Sequence, residues 1–269
     1  AHHNNDTFWF NAYHRLWLQL EILMRDNGVK IELCKLDPED ESQPVDSQLE
    51  KLRGAELVFV SLLGLLETSD AVAKLKAMGC KVVLLDESNP SSGVPIVALD
   101  NFAVGHMAGN ILYGRGYRHP AVICPHVDMA IPMFRARLDG FARSMQEKDL
   151  SHSVFGTNAN DTFAERVLLE KCVSELPKQG YDCAFFVTDE EIDLADKLLA
   201  QGLVPEKFGL LAFDGVMNAR THRPPIYCIS HATEEVAKAI IDIIQSSEAN
   251  DQEPLQSMKI RPKLYNGKT

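Results

Sequence analysis

The stretch from residue 95 to residue 124 reads PIVALDNFAVGHMAGNILYGRGYRHPAVIC. It contains two short apolar runs, Pro95 to Leu99 and Ala121 to Cys124, separated by a segment whose apolar residues recur at helical spacing. Short apolar runs bounded by glycine and polar residues predict buried strands, and the segment Phe102 to Tyr113 predicts a helix. This stretch is therefore predicted to form a strand, a helix and a strand of one parallel sheet.

The same alternation extends in both directions along the chain. Further predicted strands cover residues 29–33, 56–60, 81–85, 183–187, 208–213 and 226–230, with a possible short strand at Val154. Further predicted helices cover residues 7–26, 67–78, 134–146, 161–175, 190–201 and 233–245. About nine strands approach the limit for one open sheet, and the rhythm repeats after Gly116. The sequence therefore predicts an α/β fold with two parallel sheets.

Composition and charge exclude several classes of protein. The 269 residues are 45% hydrophobic and 24% charged, which excludes collagen-like, low-complexity and disordered chains. No apolar run approaches the roughly 18 residues of a transmembrane helix, and no signal peptide is expected from the first residues. The net charge of −11 predicts that this chain does not bind nucleic acid through its own surface.

The six cysteines are scattered and form no CxxC pair. Cys34, Cys124, Cys183 and Cys228 lie in or beside apolar runs, where a buried reduced thiol behaves as a small hydrophobe. A disulfide framework or a metal site is the alternative interpretation. We favour reduced, buried cysteines, which are typical of a cytoplasmic protein.

Four apolar runs end in an aspartate, namely Asp86, Asp100, Asp189 and Asp214. Because open α/β sheets bind ligands at the carboxyl ends of their strands, these carboxylates are candidates for a polar site. They could hold Mg²⁺ for phosphoryl chemistry or accept hydrogen bonds from a polyhydroxylated ligand. Asp100 and Asp189 each precede a predicted helix, so they could instead be helix N-caps.

Motifs of common enzymes are missing from the sequence. No GxGxxG follows a strand, and GxxxxGK[ST], GxSxG and HExxH do not occur. The nine histidines are dispersed. The sequence therefore predicts no catalytic residues, no metal and no cofactor.

Several motifs carry a resemblance to a known family. The motifs are Ala98-Leu99-Asp100-Asn101 followed by Gly105, Met107-Ala108-Gly109 and Gly116-Tyr117-Arg118; Arg137-Leu138-Asp139-Gly140-Phe141; Gly202-Leu203-Val204-Pro205; Leu210-Leu211-Ala212-Phe213-Asp214-Gly215; and Pro224-Pro225-Ile226. In their order and spacing, over nearly the whole chain, they resemble the effector-binding domain of the lactose-repressor/galactose-repressor (LacI/GalR) family of transcription regulators.

The resemblance implies two Rossmann-like subdomains of the periplasmic-binding-protein-like type I fold, with a small effector in the cleft between them. Three crossovers are expected near Arg118-His119, Ser230-His231 and Gln256-Ser257. The expected subdomains are residues 1–117 with 232–255, and residues 118–231 with 256–269. The resemblance also implies that the protein is a homodimer. It further implies that operator DNA is contacted only through a helix-turn-helix, which is expected upstream of Ala1.

The resemblance also implies a set of ligand-binding residues. Arg137 would be a ligand clamp, although a salt bridge to Asp139 is the alternative. Asp214 would be an acceptor from the same subdomain, and Asp189 matches an aspartate of the family motif although Thr188 replaces the usual asparagine. Aromatic, polar and rim contacts complete the predicted set at Phe8, Trp9, Ser61, Asp100, His126 and Asp128.

The sequence is compatible with three functions. The first is the effector-sensing domain of a cytoplasmic, dimeric repressor that binds a small polar ligand such as a sugar. The second is an extracytoplasmic sugar-binding protein of a transporter, which shares the fold. The third is an enzyme that uses the aspartates at the strand ends with Mg²⁺, and the missing motifs argue against it.

Overall fold

A computed structural model describes residues 16–29, 32, 45–61, 68–85, 93–124, 131–156, 163–188, 194, 207–213, 226–249 and 254–265. Contacts between Cα atoms divide the chain into two compact units. The first unit comprises Ala1–Leu99 with Ala232–Ile260, and the second comprises Asp100–His231 with Arg261–Thr269. Each unit has its own sheet, and the predicted α/β class with two sheets is confirmed.

The described elements alternate along the chain as predicted. The helices are α1 (16–27), α2 (Val45–Leu49), α3 (Thr68–Ala77), α4 (Asn101–Gly114), α5 (Pro132–Gln146), α6 (Phe163–Glu175) and α7 (Thr233–Ala249). The strands are β1 (Leu57–Ser61), β2 (Lys81–Leu85), β3 (Ile96–Leu99), β4 (Pro120–Cys124), β5 (Ser153–Gly156), β6 (Cys183–Phe186), β7 (Gly209–Phe213), β8 (Tyr227–Ser230), β9 (Met258–Ile260) and β10 (Lys263–Tyr265).

The first unit contains a parallel sheet in the order β1-β2-β3-β9. Helices cover both of its faces, as strand β2 shows. Val83 packs into a cluster formed with α1 and α7, whereas Val82 and Leu84 pack into a second cluster formed with α2 and α3. Because side chains alternate between the faces of a strand, burial on both sides explains the continuous apolar run at residues 81–85.

The second unit contains a sheet in the order β10-β8-β7-β6-β4-β5, parallel except for the antiparallel pairing of β10 with β8. Ile123 and Phe186 pack on one face against α6. On the other face, the ring of Phe141 in α5 stacks on Phe185 in β6 with 5.6 Å between centroids. The parallel pairing brings the carboxyl ends of β4, β6 and β7 to one edge of this sheet.

The observed units differ from the predicted subdomains at the first crossing. The sequence predicts the first crossover between the units near Arg118-His119, whereas contacts between Cα atoms place it after Leu99. The helix α4 therefore belongs to the second unit. The physical reason is the close packing of α4 on α5. A Cβ atom on Gly105 would overlap the carbonyl oxygen of Arg137, and one on Gly140 would overlap that of Phe102. The second crossover follows His231, within the predicted Ser230-His231, and the third follows Ile260, beyond the predicted Gln256-Ser257.

Strands β9 and β10 were not predicted. Both are three residues long, and exposed lysines interrupt their apolar pattern. Their partners are distant in sequence, because Val97 pairs with Met258 and Ile229 pairs with Leu264. The predicted strand at 29–33 and helix at 190–201 lie largely outside the described residues.

The cysteines that the structure describes are free thiols. Cys80, Cys124, Cys183 and Cys228 are buried, and Cys172 is exposed, whereas Cys34 lies outside the described residues. Burial is the largest cause of a strongly raised pKa at the Cys183 thiol, so this group packs as a neutral side chain. No helix in the described segments combines the length and the apolar character needed to cross a bilayer.

Candidate functional site

Arg137 lies in the second turn of α5 and is only 2% exposed. Its Nε donates a hydrogen bond to Oδ1 of Asn101 at 2.8 Å, and its Nη1 donates to the carbonyl oxygen of Val187 at 2.9 Å. Its Nη2 lies 3.9 Å from Sδ of Met133, a weak acceptor. A buried charge is costly unless hydrogen bonds compensate for it, so these contacts explain how the guanidinium is held there.

Aromatic rings complete the surroundings of this guanidinium. Cζ of Arg137 lies 3.7 Å from the ring centroid of Phe213, the last residue of β7, and 5.7 Å from that of Phe134. Val187 directly follows β6, so two of the contacts come from strands that end side by side. The structure thus places a buried cation at the carboxyl edge of the second sheet, where open α/β folds bind ligands.

The start of α4 also contributes to the surroundings of Arg137. Asp100 is the N-cap of α4, and its Oδ1 accepts a hydrogen bond from the backbone N–H of Ala103 at 2.9 Å. Asn101, the first helical residue, is 3% exposed and contacts Arg137. Of the roles considered for Asp100, the structure shows the helix cap.

Replacing Asp100 by alanine is expected to lower the free energy of unfolding by about 1 kcal/mol, because the Ala103 N–H loses its acceptor. Asp100→Asn is expected to keep most of that stability, since asparagine is an equally good N-cap. Urea unfolding of the two variants checks the difference. Equal losses in both would contradict the capping role.

The alternative partner considered for Arg137 makes a different contact. Oδ1 of Asp139 lies 3.2 Å from Nε of Arg135, and both of these side chains are more than half exposed. Residues two apart lie on different faces of a helix, so Asp139 is directed toward solvent while Arg137 is buried.

The other predicted ligand residues lie either in the first unit or outside the described residues. Ser61 is the last residue of β1, in the first unit, where it pairs with Leu85. Six lie outside the described residues and remain predictions: Phe8, Trp9, His126, Asp128, Asp189 and Asp214. Among the residues that the structure describes, no group of three His, Cys, Asp or Glu side chains is placed to hold a metal ion.

Asn101, Phe213 and Val187 contact Arg137, although none of them is among the predicted site residues. Asn101 stood in the quoted family motif but was not given a role, and Phe213 directly precedes the predicted Asp214. The position of Phe213 at the end of a strand was therefore an available signal. The carbonyl of Val187 carried none, because every residue has this acceptor.

Comparisons with known proteins identify the family of this chain. Residues 110–269 match the periplasmic binding protein-like domain family, which is more than half of the chain. The chain belongs to this family. Among the curated relatives of this periplasmic-binding-protein-like domain is the HTH-type transcriptional repressor PurR of Klebsiella pneumoniae, 24% identical over 199 residues. That match covers 68% of this chain and 54% of PurR, so the chain spans about half the length of that relative.

Solved structures show the same fold for this domain. The transcriptional regulator CelR in complex with cellobiose superposes with a TM-score of 0.74 at 18% identity, covering 100% of this chain and 82% of CelR. A LacI family transcriptional regulator from Enterococcus faecalis with bound ribose superposes with a TM-score of 0.72 at 17% identity, covering 95% and 92%. The resemblance to a LacI/GalR-type effector-binding domain is confirmed. These relatives are transcriptional regulators, not enzymes.

Proposed function

We propose that this domain binds a sugar or a similar small polar effector at the carboxyl edge of the second sheet, with Arg137 as its clamp. The observation that supports the proposal is the guanidinium of Arg137, which is 2% exposed and oriented by Asn101, Val187 and the Phe213 ring. A planar guanidinium suits recognition of clustered oxygen atoms, because it presents donors in a fixed geometry. Aromatic rings beside it suit the apolar face of a sugar.

Two carboxylates lie close in sequence to residues that contact Arg137. Asp214 directly follows Phe213, whose ring contacts Arg137, and Asp189 comes two residues after Val187, whose carbonyl accepts from it. We propose both as acceptors for effector hydroxyl groups. The further proposed contacts are Phe8, Trp9, Ser61, His126, Asp128 and, in addition to its capping role, Asp100.

Similar proteins support a sugar as the effector and support a further proposal, that the bound effector changes DNA binding. The structures with cellobiose and with ribose make a sugar the first class of effector to test. The name of the PurR relative, an HTH-type transcriptional repressor, supports an effect of the bound ligand on DNA binding through a helix-turn-helix domain. We further propose that the cytoplasmic regulator acts as a homodimer, with operator DNA as its second partner.

A thermal-shift panel of ribose, cellobiose, xylulose and nucleobases tests the effector class. A ligand at 100 times its dissociation constant is expected to add about 2.7 kcal/mol of stability, which raises the melting temperature by several degrees. We expect the shift to be the same with and without a chelator, because hydroxyl recognition by side chains needs no metal ion.

Each contrary outcome points to another function. A shift that requires Mg²⁺, or turnover of a phosphorylated compound, would favour an enzyme. The reading frame upstream of Ala1 separates the other two candidates. A helix-turn-helix there supports the regulator, and a signal peptide supports an extracytoplasmic sugar-binding protein.

A further inference from the structure

We infer that Asn101 is a positioning residue for Arg137, orienting its guanidinium for the effector while contributing no negative charge of its own. This inference rests on the proposed function of Arg137 as an effector clamp. The two side chains are 36 residues apart in sequence and come from different helices. They are 3% and 2% exposed, so the hydrogen bond between Nε and Oδ1 is shielded from water.

Three contacts from three elements define the plane of this guanidinium. Asn101 at the start of α4 engages Nε, the carbonyl of Val187 after β6 engages Nη1, and the Phe213 ring at the end of β7 supports one face. The Asn101 contact restricts rotation about the bonds nearest to the planar group. Without Asn101, the Nε–H of Arg137 would lose this acceptor.

The close approach of α4 and α5 is what allows Asn101 to reach Arg137. Gly105 lies one turn after Asn101, and it packs directly against the carbonyl oxygen of Arg137. This approach holds the first turn of α4 beside the second turn of α5. Asn101 is therefore carried by a rigid element, whereas a residue on a loop would position Arg137 less accurately.

The chemical type of the residue at position 101 also has a consequence. An amide oxygen accepts the Nε–H without adding a negative charge, whereas a carboxylate of the same shape would form a buried ion pair with the guanidinium. The amide therefore orients the guanidinium without forming an ion pair with it.

Nuclear magnetic resonance of the chain labelled with ¹⁵N-arginine tests the positioning directly. Arg137→Lys identifies the Nε–H signal of Arg137 by its disappearance. In Asn101→Ala we expect exchange of this proton with water to become about tenfold faster or the signal to be lost. In Asn101→Asp we expect the signal to persist, because the carboxylate keeps an acceptor at the same place.

Effector affinity supplies the second measurement, with the panel sugar that gives the largest thermal shift as the probe. We expect Asn101→Ala and Asn101→Asp each to weaken binding about tenfold, the first by loosening the guanidinium and the second by neutralising it. Leu112→Val, a buried change near the end of α4, is the control that lowers stability. It is expected to leave both the proton exchange and the affinity unchanged.

The outcomes separate this inference from the proposed function. Unchanged exchange of the Arg137 Nε–H in Asn101→Ala would overturn the inference. So would equal losses of affinity in Asn101→Ala and in Leu112→Val. If no sugar of the panel shifts the melting temperature of the native chain, the proposed sugar effector is wrong, and the exchange measurement still decides whether Asn101 positions Arg137.

Discussion

Replacing Arg137 by alanine is expected to weaken effector binding about 10- to 150-fold, which corresponds to the roughly 1.5 to 3 kcal/mol of hydrogen bonds to a charged group. The variant is also expected to lose about 2 to 4 kcal/mol of stability, since a buried side chain is removed and the oxygens of Asn101 and Val187 lose this donor. Titration calorimetry with the panel sugar, beside urea unfolding, measures both losses.

Two further variants separate binding from stability. Arg137→Lys keeps the charge but not the planar group, so we expect most of the affinity to be lost. Arg135→Ala removes a neighbouring arginine whose side chain is 76% exposed and pairs with Asp139 at the surface. It is expected to change stability by less than about 0.5 kcal/mol and to leave the affinity unchanged. A lowered stability with unchanged affinity in Arg137→Ala would show that Arg137 is structural only.

Replacing Gly105 by alanine is expected to destabilise the second unit by about 3 kcal/mol or more, because the new methyl group would overlap backbone atoms of Arg137 and Phe141. Backbone atoms cannot rotate away as a flexible side chain can, so relief requires α4 and α5 to separate. Separation of the helices would also move Asn101 away from Arg137. We therefore expect weaker effector binding in any Gly105→Ala protein that folds.

Gly114 offers a matched control at the end of the same helix. A Cβ atom there would meet no heavy atom within 4 Å, so Gly114→Ala removes a glycine without a clash. It is expected to stabilise the protein slightly, up to about 1 kcal/mol, because alanine favours the helix. Differential scanning calorimetry of both variants is the measurement. Similar melting temperatures for the two would disprove the close contact between α4 and α5.

The candidate site was predictable only in part. Arg137 could be singled out because its motif resembles that of a known family, and strand-end positions marked Asp189 and Asp214. Its observed contact with Asn101 could not be predicted, since sequence spacing does not show which helices approach each other. The role of Asp100 stayed open for a similar reason. A capping residue and a ligand residue have the same sequence context, and the hydrogen bond to Ala103 shows the cap.

The sequence by itself determined the class of fold, because the period of the apolar pattern is a local property that each segment carries alone. Apolar runs separated by amphipathic helices can bury their surfaces only as parallel strands covered on both faces, and β2 and β4 show this arrangement. Tertiary structure alone decided that α4 joins the second unit, that β9 and β10 pair with distant strands, and that Asn101 contacts Arg137. These features depend on contacts between residues far apart in sequence, whose partners are selected only when the whole unit packs.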